Sequence, residues 1–111
     1  MYRCYYFETG QGRRPVEEFV DGIDGAAQRK FVYKRSLLEG LGPRLPEPHA
    51  KNLGGGIFEL RFSGSDSDFR VLYFFDVDRV VFTNAFKKKS QKTPKDEINL
   101  ALDRRRSYLR G

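Results

Sequence analysis

The chain has 111 residues and a formal net charge of +6, from 21 Lys or Arg against 15 Asp or Glu. A chain of this length buries about two thirds of its unfolded surface, enough for a single domain over residues 1–111 without covalent staples. Its one cysteine, Cys4, excludes an internal disulfide and a cysteine metal cage, so a cytoplasmic setting is expected.

The N-terminal stretch MYRCYYFETG is too short and polar for a signal peptide, and no run approaches the ~20 apolar residues of a membrane span. Arg3 to Thr9 is short and aromatic-rich, which predicts a first strand. From Pro15, favoured at a first helical position, Val16, Phe19, Val20 and Ile23 share one helical face. Gly22 and Asp24-Gly25 interrupt that helix, and a second is expected from Ala26 to Glu39, ended by Gly40 and Gly42. Ala27, Phe31, Lys34 and Leu38 form its inward stripe, which Lys34 dilutes. Together the two make an αα-hairpin.

Gly42 to Gly56, rich in proline and glycine, reads as a connector without regular structure over most of its span. Three apolar runs follow, Ile57–Phe62, Phe69–Phe75 and Val80–Phe86, parted by short polar breaks. That pattern predicts an antiparallel meander, with Phe69–Phe75 in the centre because both parities are apolar except at Arg70. Thr93 can cap a last helix, with Pro94 at its first position and Asp96 completing a capping box. Arg104, Arg105 and Arg106 lie off its apolar stripe. The expected class is α+β: an N-terminal strand, a helical hairpin, a three-stranded antiparallel meander completing one sheet, and a C-terminal helix.

Residues 51–111 hold thirteen basic and eight acidic side chains, whereas residues 1–50 hold eight and seven. This asymmetry favours a polyanionic partner. Strand alternation puts Phe58, Leu60 and Phe62 toward the helices and Ile57, Glu59 and Arg61 on the other, exposed face. Glu59 and Arg61 there form a surface ion pair or handle a substrate together. Arg70 is the sole charge in FRVLYFF, and a guanidinium on a central strand needs either an internal partner, such as Glu59, or an anion. Five lysines fall between Lys87 and Lys95. They are either a solvated turn or, with Arg61 and Arg70 on neighbouring strands, part of a phosphate-binding concavity.

No zinc set, phosphate loop or Ser-His-Asp arrangement is present, and the lone His49 sits in the connector. The remaining toolkit of Arg, Lys, Glu and Tyr suits one reaction without cofactor or metal. In RNA the 2′-OH attacks its own adjacent phosphate, and the protein orients the strand, neutralises the phosphorane and moves protons. Arginine forks match the equatorial oxygens, and Glu59 and Glu47 are the candidates for general base.

KNLGGGIFELRF, FRVLYFF and FKKKSQKTPKDEINLA, in that order and spacing, resemble the phage-derived HigB-like branch of the RelE toxin superfamily. The resemblance covers nearly the whole chain. It implies a compact α+β fold with an antiparallel sheet against a helical hairpin. It also implies a ribosome-dependent mRNA interferase held in check by a cognate antitoxin, a helix-turn-helix protein of the HigA-like kind. By motif position Arg61, Arg70 and Lys88 match the catalytic cations, and Lys51, Lys87 and Lys89 match RNA contacts. Several relatives use a C-terminal tyrosine or histidine for proton transfer; here that region holds lysines, Ser90 and the distant Tyr108. The alternative from another class is a non-catalytic basic module that binds RNA or protein.

Overall fold

The computed structural model describes all 111 residues. In chain order the elements are β1 (Arg3–Tyr6), α1 (Pro15–Asp21), α2 (Gly25–Leu41), a 3-10 turn (Gly42–Arg44), β2 (Ala50–Gly54), β3 (Ile57–Ser63), β4 (Asp68–Asp76), β5 (Arg79–Lys87) and α3 (Lys95–Arg110). The sheet runs β1-β5-β4-β3-β2, so the FRVLYFF strand is central. β2 to β5 form an antiparallel meander, and β1 lies parallel to β5.

Two parts of the expected architecture are thereby corrected. The connector contains a strand: Ala50–Gly54 pairs with the open edge of β3, and Gly54, Gly55 and Gly56 turn between them with positive φ. The sheet is therefore five-stranded and mixed, because the first strand joins the far edge in parallel. α2 also starts at Gly25, where Asp24 caps it by accepting from the Ala27 N–H, and it runs through Gly40 to stop at Gly42.

Both faces of the sheet are covered. Phe31 and Leu38 of α2 pack with Leu60, Val71, Tyr73 and Phe82 on one face; Ala101 of α3 packs with Ile57, Leu72, Phe74 and Val81 on the other. A bulge separates these sets on β5. Leu72 faces Asn84 and Tyr73 faces Phe82, which leaves Thr83 as the extra residue. Arg104 donates to the Thr83 carbonyl at 2.8 Å, and its guanidinium lies over the Phe7 ring. Arg104 is thus a clamp between α3 and the bulge rather than a solvated charge. Buried Asn84 donates to the Glu97 carbonyl and carboxylate at 3.1 and 2.9 Å, which fixes the first turn of α3.

Cys4 is buried, and burial together with Glu39 pushes its thiol up to about 12, so it stays protonated and supplies no nucleophile. No helix is long and apolar enough to cross a membrane. Gly42 ends α2 with φ +57, and a Cβ at that position would collide with the Tyr2 ring. Gly42→Ala is expected to destabilise the chain by about 2–4 kcal/mol, from backbone strain plus overpacking, measured by urea unfolding. An unchanged midpoint would mean that the α2 terminus and Tyr2 rearrange freely.

Candidate functional site

The site is built around Glu59, in the middle of β3. Its expected exposure is overturned: Glu59 is 1% exposed, because α3 and the segment before it cover that face. Oε1 accepts from Arg61 Nε at 3.1 Å and lies 3.7 Å from Arg70 Nε. Oε2 accepts the Thr93 hydroxyl at 2.5 Å. Thr93 therefore does not cap α3, whose N-cap is Pro94 with no side-chain bond. A buried carboxylate is the stronger claimant for that hydroxyl, since hydrogen bonds to charged groups are roughly twice as strong as neutral ones.

Arg61 and Arg70 are register partners on β3 and β4, so their side chains share one face. Two guanidiniums placed opposite each other repel, and Glu59 between them offsets that repulsion. The Arg61 and Arg70 side chains keep 24% and 12% of their exposure, enough for each fork to meet a ligand. Burial lowers the Arg70 pKa, against the pull of Glu59, and the Arg61 charge lowers it further. Arg70 also donates to the Phe69 carbonyl at 2.9 Å, and Arg61 reaches the exposed Glu47 at 3.7 Å.

The strand ladder continues one residue past β5, where the Lys88 N–H donates to the Asp68 carbonyl at 2.8 Å. Lys88 is half-buried while Lys87 and Lys89 are exposed, and Ser90 closes the following turn on the Lys92 carbonyl. These residues wall a cleft of about 540 Å³ with Glu59, Arg70, Thr93 and the first turn of α3. Five cations line it against the carboxylates of Glu59, Asp96 and Glu97. None of the chain's eight lysines makes an ion pair, whereas Glu59 and Glu97 are engaged by Arg61 and Asn84. The cleft thus presents free positive charge over a fixed, paired floor.

The structure brings Arg70, Lys87, Lys88, Lys89 and Glu59 together in this cleft. Arg61 lines an adjoining groove that shares Arg70. Lys51 stands opposite Glu59 in the β2–β3 register, on the same face, but lines neither depression. Glu47 approaches from the solvent side of Arg61. His49 contributes its carbonyl, which accepts the Arg61 N–H at 2.9 Å. No three His, Cys, Asp or Glu side chains gather as a metal-holding set. Thr93 as the partner of Glu59 was not readable from sequence, since T-P before an amphipathic stretch signals a helix start.

Glu59→Gln leaves the nearly buried Arg70 and the half-buried Arg61 without their shared counter-charge and is expected to cost about 3 kcal/mol in urea unfolding. Thr93→Val should cost about 1–2 kcal/mol by removing one bond to the carboxylate. A Glu59→Gln variant as stable as the parent would show that solvent satisfies both arginines.

Residues 18–106 match the model of the family described as phage derived protein Gp49-like. Two proteins from Mycobacterium tuberculosis, strains CDC 1551 / Oshkosh and ATCC 25618 / H37Rv, are each named probable endoribonuclease HigB1. Each is 36% identical over 108 residues, covering 96% of this chain and 84% of theirs.

Proposed function

The chain is a HigB-like member of the phage-derived Gp49-like family, and on that premise we propose that it is the toxin of a toxin–antitoxin pair, a cytoplasmic endoribonuclease that cuts mRNA on the ribosome. Arg70 carries the reading. It is held nearly buried on the central strand, yet it opens into a cleft rimmed by unpaired lysines. The naming of the M. tuberculosis relatives as probable endoribonucleases supports the same chemistry.

In this reading a phosphodiester settles on Arg70 and Lys88, with Lys87, Lys89 and Lys51 contacting neighbouring phosphates. The 2′-OH forms a bond to phosphorus as the bond to the 5′ oxygen breaks. The Arg61 and Arg70 guanidiniums neutralise the equatorial oxygens of the phosphorane, a preorganised electrostatic effect strongest in a partly desolvated site. Lys88 gives its proton to the departing 5′ oxygen. Glu59, with both oxygens occupied, positions the two arginines; Glu47, which has the freedom that a base needs, takes the proton that the 2′-OH releases. The reaction calls on side-chain cations and no metal. A small helix-turn-helix antitoxin would silence the protein.

The test is primer extension on mRNA from a translation extract supplied with the chain. Codon-positioned cuts are expected. Arg70→Lys keeps a cation beside Glu59 but loses the planar fork, and should slow cutting by about 10²-fold or more with little change in the urea midpoint. Intact mRNA with the parent chain, alongside salt-sensitive RNA binding, would instead favour the non-catalytic module. Parent-like cutting by Arg70→Lys would remove the Arg70 fork from the mechanism.

A further inference from the structure

Beside the cleft described above lies a groove of about 360 Å³ between α2 and the end of β3, and Arg70 lines both. Lys30 and Lys34 come to it from α2, and Arg61 comes from β3. Against these four cations the groove's lining offers one carboxylate, Asp68, whose Oδ1 already accepts the Ser63 hydroxyl. Lys34 belongs to the face of α2 that otherwise buries Ala27, Phe31 and Leu38. It is half-buried and makes no ion pair within the chain. Burial lowers its pKa, and the charges of Lys30 and Arg70 lower it further.

A lysine kept only for solubility would extend into water away from other cations. Lys34 instead lies partly buried among like charges, an arrangement that an arriving anion relieves. The lining's apolar side chains are Phe62, itself buried, and Pro48 at the rim, against four cations, so charge rather than apolar area dominates what the groove offers a partner. It matches a phosphate backbone better.

We propose that Lys30 and Lys34 form a second phosphate subsite, which holds the phosphodiester flanking the one at Arg61, Arg70 and Lys88. The RNA strand then passes over the end of the sheet, from the lysines after β5 to the groove between α2 and β3, with Arg70 at the crossing. This inference rests on the proposed ribonuclease reading and gives the strand its path.

The experiment measures binding of the full chain to 2′-O-methyl RNA oligonucleotides, which resist internal attack, by fluorescence anisotropy over a salt series. The double variant Lys30→Gln/Lys34→Gln is compared with Arg44→Gln/Arg110→Gln, which removes the same net charge away from the groove. Loss of the subsite should weaken binding at least about tenfold and flatten the log Kd against log salt slope by about 0.7–1.4, one or two phosphate contacts on single-stranded RNA. Lys30→Arg/Lys34→Arg should restore both. Slopes and affinities equal in the two charge-matched variants would overturn the subsite. Loss of antitoxin binding by the lysine variant, with its RNA slope intact, would also overturn it and assign the groove to a protein. Failure of the ribonuclease reading looks different: the parent chain itself would leave mRNA uncut in the extract.

Discussion

The arrangement depends on a single buried carboxylate. Glu59 sits in the middle of a strand with almost no solvent contact, and a charge there persists only when paired and hydrogen-bonded. Arg61 and Arg70 supply the pairing and Thr93 the remaining bond. The same contacts run in reverse. Without Glu59 the two guanidiniums would face each other across adjacent strands with nothing between them. Because Thr93 precedes α3, the carboxylate also ties the lysine-bearing segment to the sheet floor, so charge balance and loop placement are one problem with one solution.

The rest of the fold aims this network. The central strand is apolar on both sides, which demands helices on both faces, and α3 meets the second demand. The bulge at Thr83 turns Asn84 toward α3, where its amide holds Glu97. Arg104, about two turns further along the same helix, clamps the same bulge. The first turn of α3 is therefore fixed close to β5, and the residues between them are left to line a cleft. Arginines here mostly bind the protein to itself, while the lysines stay free. That division follows from chemistry: a planar fork suits paired, partly buried positions, and a flexible ammonium suits a rim that meets mobile anions.

Much of this was legible in the chain. The meander, its central strand and the two N-terminal helices follow from aromatic and β-branched runs cut by polar breaks and from apolar residues at helical spacing. β2 was hidden because AKNLG has no alternation of its own and lies between proline- and glycine-rich flanks; the free edge of β3 makes it a strand. The burial of Glu59 was hidden for a related reason, since local pattern does not say which sheet face the last helix will cover. Thr93 carried a correct local signal that a charged tertiary partner overrode. Lys34 was visible as a charge in an apolar stripe, and its meaning came only with Arg70 beside it. The motif resemblance named Arg61, Arg70 and Lys88 together, and the structure adds that Arg61 and Arg70 share one carboxylate while Lys88 and Arg70 line one cleft.

The central claim is that this cationic cleft promotes internal attack by the 2′-OH on the neighbouring phosphate. The most direct measurement is the chemistry of the cut ends on mRNA treated with the chain in a translation extract. The account predicts a 2′,3′-cyclic phosphate, or the 3′-phosphate it hydrolyses to, upstream of each cut and a 5′-hydroxyl downstream. A 5′-phosphate with a free 3′-hydroxyl would contradict it, because those ends require water rather than the ribose to attack.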